Sequence, residues 1–326
     1  KFCKRPVEMT PKDPISGLVP FESAAPEMSY PGLSPQVLAR IKQLWSAAGL
    51  DFDSHWRLGL RNLPGFRAVP KIDASASSAD VDLVFLFDQC VIWLRALHDA
   101  ASDGHRHQAD GLSGAQWHGL AAVSARLAEQ IAALRLLALT NLPMPAMQIA
   151  RSMSEDVDMA LILLTRPKLA QRFSECQSVD EANDFWRRHI AGGRAFRSIS
   201  EKLYAVGIDQ SADTEYSKWR RSVLTTLGAA VHSNALNTQM PDHRQIPALL
   251  SGDSLHFASF RIHELCAYAQ LLDPKLTDAL AGASAQAKPA SPLSALAAPL
   301  SGILVNQIQS LTTPSAPASQ KSAKFH

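Results

Sequence analysis

The amino-acid sequence predicts an all-α protein: an irregular multi-helix bundle with a proline-rich N-terminal arm and a disordered C-terminal tail. Three observations carry that class. Apolar residues recur at spacings of three and four from Ala79 almost to the end of the chain, the period of a helix face turned to a core. Alternating polar and apolar runs, which mark half-buried strands, are scarce. Capping and stop residues stand where the periodic stretches begin and end. With 326 residues and 46% apolar side chains, the chain can bury a core without disulfide or metal staples. No repeat of fixed period is evident, which argues against a solenoid.

Residues 1–33 hold Pro6, Pro11, Pro14, Pro20, Pro26 and Pro31 and lack periodicity, the pattern of an extended or flexible arm. The first helix is expected in LSPQVLARIKQLWSAAG. Ser34 can cap it, Pro35 suits its first position, Val37, Ile41, Leu44 and Trp45 form a stripe, and Gly49 stops it. LGLRNLPGFRAVPKIDASASSA reads as a long loop, because Gly59, Pro64, Gly65 and Pro70 separate short apolar pieces. A long helix over 80–101 should then be broken by GHRHQADG. A second, over 115–140, places Leu120, Val123, Leu127, Ile131 and Leu134 on one face. Asn141-Leu-Pro-Met-Pro turns the chain into a third, from about 146 to 165, ended by Arg166-Pro167. Short helices are expected at 168–176, at 180–191, where Ser178 and Glu181 make a capping box, and at 194–206, stopped by Gly207. Long amphipathic helices at 213–236 and 254–273 complete a core block, 79–273, within one helical domain, 34–280. From 281 to 326 the composition falls to Ala, Ser, Pro, Gln and Lys, a low-complexity tail in which 293–309 is apolar enough for a short contact with the body or a partner.

Composition excludes several function classes. Thirty-two basic residues stand against 30 acidic ones, a net charge of +2, so no broad basic field announces nucleic acid or an anionic membrane; a local basic patch is compatible with that balance. Cys3, Cys90, Cys176 and Cys266 are far apart, with no metal-ligand spacing. Three of them lie in apolar helical patterns, so reduced, buried thiols in a cytoplasmic protein are expected. The opening KFCKRPVEMTPKDP has no apolar run and reads as a fragment or a processed chain, not a signal peptide. The most membrane-like stretch, VDLVFLFDQCVIWLRAL, carries Asp82, Asp88, Gln89 and Arg95 and reads as a core helix. Neither a P-loop, a dinucleotide fingerprint, a GxSxG elbow nor a calcium loop occurs, so no cofactor or metal is expected.

Chemistry has five candidate places. In RSMSEDVDMALILL, Arg151, Glu155, Asp158 and Ile162 share one helical stripe, beside Met147, Ala150, Val157, Leu161 and Leu164. That stripe can be a structural ion pair or a functional site; alternatively, Ser152-Met-Ser-Glu155 is a capping box that starts a new helix. In GAAVHSN, Gly228, Ala229 and Ala230 would let another backbone approach closely, beside His232, a proton carrier or a satisfied helix-end histidine. His256 and His263 share a face, but about 10 Å apart, too far to share one metal ion. Gly104-His-Arg-His-Gln108 reads as a solvated connection. Phe185-Trp-Arg-Arg-His189 and Tyr216-Ser-Lys-Trp-Arg-Arg221 interleave aromatic and basic residues, a mixture that stacks on bases and also arises where an aromatic edge packs inward.

RSMSEDVDMALILLTRPKLAQRF, FWRRHI and LTTLGAAVHSNAL, between Pro145 and Leu236, together resemble a group of bacterial all-helical proteins of unknown function. In that group an arginine and a glutamate on one long helix recur with a histidine at the end of a later one. The resemblance assigns those places to Arg151, Glu155 and His232. That group in turn resembles HEPN domains, helical bundles of toxin and phage-defence systems, many of which cleave RNA without metal. The HEPN signature places arginine four to six residues ahead of histidine. Here the nearest arginine ahead of His232 is Arg221, eleven positions earlier, and Thr225, Thr226 and Leu227 occupy the signature positions. Two functions are therefore expected. The first is a helical interaction or regulatory protein with a buried Arg151–Glu155–His232 network, acting on a protein partner or a second copy of itself in a defence setting. The alternative is a metal-independent, HEPN-like ribonuclease acting on RNA.

Overall fold

The computed structural model describes residues 19–20, 30, 32–61, 68–69, 78–139, 142–231, 247–285 and 291–312. They form an all-helical, multi-helix bundle. The only sheet among them is a two-residue antiparallel pairing of Val19–Pro20 (β1) with Ala68–Val69 (β2).

Helix α1, Pro35–Ala47, begins with proline at its first turn and is followed by Gly49 at φ 75°. Ser34 makes no side-chain cap; its backbone N–H instead donates to Asp82 Oδ1 at 2.8 Å. Part of the expected loop is helical: α2 spans Phe52–Arg61, started by Asp51, whose carboxylate accepts the Ser54 N–H. Residues 62–67 and 70–77 of that loop lie outside the described residues. Trp45, Phe52, Trp56 and Phe85 pack ring against ring, with Trp56 and Phe85 stacked at 4.7 Å. Tyr30 joins this cluster fully buried, so the arm expected over 1–33 is anchored at its end.

The centre is α3, Ser78–His107, α4, Gly114–Leu139, and α5, Pro143–Thr165, packed in sequence. The break expected after residue 101 does not occur, and α3 runs on through His107. Gly104 reads as a breaker in sequence but serves close packing: a Cβ there would fall 2.6 Å from the Trp117 ring. The helix ends instead at Gln108, φ 51°, and Trp117 Nε1 donates to the Ala109 carbonyl at 2.8 Å. Short helices α6, Pro167–Ser174, α7, Val179–His189, and α8, Arg194–Ala205, follow. The Ser178 cap on α7 forms, its hydroxyl accepting the Glu181 N–H. Helix α9, Glu215–Val231, lies on α5, and α10, Pro247–Leu272, packs across α3, α4 and α5.

The low-complexity tail requires correction where it is described. Helix α11, Leu276–Ser284, and α12, Ala297–Thr312, belong to the bundle. Ala and Ser, which made the composition look disordered, are the small residues that let α12 lie close to α3 and α10, while Leu296, Leu300, Ile303 and Leu304 are buried between them. Trp93 Nε1 donates to Ser301 Oγ at 2.8 Å, and Gln89 to Gln307 at 2.7 Å. Residues 313–326 lie outside the described residues, as do 1–18 of the arm. Among the described residues no helix is long and apolar enough to cross a membrane.

Candidate functional site

RSMSEDVDMALILL lies inside one unbroken helix, α5, so the capping-box reading of Ser152 and Glu155 does not hold. Each of its three acids is taken by a different partner. Arg151 and Glu155 pair along the helix at 2.9 Å, each side chain about one-third exposed at 32% and 31%. Asp156 accepts Arg126 Nε of α4 at 2.7 Å. Asp158, nearly buried, accepts Arg220 Nη2 from α9 at 2.7 Å and Arg261 Nη2 from α10 at 2.5 Å. Burial raises the pKa of Glu155, against Arg151, which lowers it, and burial likewise raises Asp156 against the pull of Arg126.

Two buried polar networks emerge, neither the one expected. Around Asp158, Arg261 also pairs with Glu264, which Tyr216 and Tyr268 bond in turn, and Gln210 Nε2 donates to the Tyr268 hydroxyl at 2.5 Å. Burial and then the Glu264 carboxylate push both tyrosine pKa values upward. In the second, Arg135 of α4 holds Asp88 of α3 in a two-pronged bond, 2.6 and 2.7 Å, with both side chains fully buried. Tyr30 donates to the same carboxylate at 2.6 Å. Arg151 and Glu155 stand apart from both, at the protein surface, and His232 lies outside the described residues. The close backbone approach expected at Gly228 is not made by the described residues: a Cβ there would meet none of them within 4 Å.

Arg151 lines a cleft of about 1100 Å³ together with α8, the 206–214 connection and α9. Its cationic residues are Arg151, Arg197, Arg220 and Arg221; its acids are Glu201 and Asp209. Arg220 lies over the Phe196 ring, 3.8 Å from its centroid, a stacked cation held from below by Asp158. Glu155 faces a second, smaller cleft of about 670 Å³ between α4, α5, α6 and α7, with His118, Cys176 and Trp186.

The other sequence candidates are drawn into packing and ion pairs, although Trp186 and Trp219 keep exposed edges. Tyr216 and Trp219 turn onto Phe260 of α10, Phe185 is buried, and Arg187 and Arg188 both pair with Asp184. His105 and His107 are on α3, not in a loop. His256 is exposed while His263 is half-buried. Cys90 Sγ lies 3.6 Å from His263 Nδ1, but that nitrogen stands 2.7 Å from the Ser259 carbonyl and must donate its proton there. Burial raises the Cys90 thiol pKa and lowers that of His263, so the pair stays neutral and unreactive. Cys176, expected buried, is half-buried. Among the described residues no group of three or more His, Cys, Asp or Glu is placed to hold a metal ion.

Sequence reading missed Arg135, Arg261 and the Gly192-Gly193 turn. A charged residue within an apolar run, as at Asp88 and Arg135, was the available signal. No family model matches this chain, and no curated protein or solved structure resembles it significantly.

Proposed function

We propose that this chain is a helical interaction or regulatory protein that acts by binding, with the cleft between α8 and α9 as its working surface. One observation carries this reading: the arginines converge on a cleft whose described lining contains neither histidine nor cysteine. Such a lining recognises charge but supplies no side chain that titrates near neutral pH to move protons. Elsewhere, burial holds Cys90 and Tyr216 protonated and His263 neutral. The buried networks fix α5, α9 and α10 in register, which keeps the cleft in shape before a ligand arrives.

The alternative, a metal-independent ribonuclease, rests on His232. The two are separated by incubating the full chain and its His232→Ala variant with mixed-sequence RNA at low ionic strength, where cationic contacts are strongest. Intact RNA in both samples is expected. Cleavage by the wild type that disappears in a folded His232→Ala variant would replace the binding reading with the enzymatic one.

A further inference from the structure

We infer that the α8–α9 cleft is a binding site for a small molecule bearing a phosphate monoester, an inference that deepens the binding reading above and rests on it. The wall of the cleft starts at Gly192 and Gly193, two consecutive residues in the left-handed region, with φ of 64° and 74°. Only glycine adopts that pair of conformations without strain. They lead directly into α8, twelve residues long, whose first turn has no side-chain cap. The Arg194 N–H is taken by the Ala191 carbonyl; a glycine turn feeding an uncapped helix start leaves the next amides of the first turn and the positive end of the helix dipole beside the cleft.

A second, independent feature points to the same ligand. Arg220 is 7% exposed and lines the cleft, yet its Nε has no acceptor among the described residues. A buried guanidinium N–H left without a partner is costly, and an entering oxyanion supplies the missing acceptor. The Ser200 hydroxyl in the same lining, a donor, likewise has no partner among the described residues. At the rim, Arg197 and Arg221 are exposed and carry no ion pair among the described residues.

Three guanidinium groups, a hydroxyl and a helix start offer more donors than the two oxygens of a carboxylate can take. They suit the three oxygens and near-double charge of a phosphate monoester. Glu201 and Asp209 line the same cleft and would repel the successive phosphates of a nucleic-acid strand, so a compact ligand is favoured over a polymer. The volume, about 1100 Å³, leaves room for an organic group beside the phosphate, with Tyr204, Phe196 and Leu224 as apolar wall.

The test is calorimetric titration of the full chain at low ionic strength with inorganic phosphate, pyrophosphate and a single-stranded oligonucleotide. It is repeated on Arg197→Ala, Arg221→Ala and the double variant, with Arg40→Ala as a control outside the cleft. The expected result is saturable binding of phosphate and pyrophosphate. Each cleft substitution should weaken it about tenfold, in keeping with loss of a charged hydrogen bond, and the control should bind as wild type. Because Arg197 and Arg221 are exposed and carry no ion pair among the described residues, both variants should fold. Absence of phosphate and pyrophosphate binding, unchanged affinity in the double variant, or tighter binding of the oligonucleotide than of pyrophosphate would each overturn the proposal. None of these outcomes involves turnover of RNA, which alone ends the binding reading, so the two failures are distinguishable.

Discussion

Two arginine–carboxylate pairs in this molecule differ by an order of magnitude in what they hold. Arg135 and Asp88 are fully buried, and removing either leaves a charge stranded in the core. Arg135→Ala or Asp88→Ala should therefore cost about 3 to 5 kcal/mol in denaturant unfolding. Replacing both with leucine removes the stranded charge and should recover much of the loss, except for the Tyr30 hydroxyl, which loses its acceptor. Arg151 and Glu155 sit four apart on a helix with about a third of each side chain in water. Their pairing is worth roughly 0.3 to 0.5 kcal/mol, so Arg151→Ala should shift the unfolding midpoint barely at all. A large destabilisation by Arg151→Ala, or a negligible one by Arg135→Ala, would reverse the assignment of the structural network to Asp88 and Arg135.

At the scale of single helices, α5 carries its own pH signature. Glu155 and Asp156 have folded-state pKa values raised, by burial first, above the ordinary 4.5 and 3.8. The folded state therefore binds protons more readily at these sites than the unfolded chain. Their contribution is fully favourable below the unfolded pKa and is lost as pH rises through the folded one. Wild-type stability minus that of Glu155→Gln should therefore grow as pH is lowered from neutral into the carboxylate range; a pH-independent difference would show that Glu155 is not shifted. Helix positions such as those of α1, α4 and α7 were legible in sequence because a 3.6-residue stripe, a first-turn proline and a capping box are local signals. Two failures share one cause: Gly104 and the alanines of α12 are small because another element packs on them, and local composition does not record a distant neighbour. The site was legible in halves. The Arg151–Glu155 spacing of four predicted their contact, whereas the partners of Asp158 lie 62 and 103 residues away, beyond the reach of any spacing rule.

Across the whole molecule, the cleft is only as firm as the attachment of α9. Helix α4 packs along both α3 and α5, and α10 braces all three. Helix α9 rests mainly on α5 and buries few side chains, Ser217, Arg220, Leu227 and Ala230 among them. Asp158 is the carboxylate that reaches both Arg220 of α9 and Arg261 of α10, so it fastens the cleft wall to the core. Asp158→Ala leaves the buried Arg220 without its carboxylate and Arg261 with Glu264 alone, and a loss of about 3 to 5 kcal/mol is expected. The distribution of that loss is more telling than its size. A locally attached element opens below the global unfolding free energy, so in Asp158→Ala the amides of α9 should exchange with solvent far faster than in wild type. Those of α3 and α4, held by Asp88 and Arg135, should fall only with global stability. Phosphate should bind the variant more weakly, because Arg220 no longer has the carboxylate that holds it over Phe196. Uniformly faster exchange through α3, α4 and α9 alike would instead make Asp158 a part of one undivided core, and the cleft wall no more separable than the rest of the bundle.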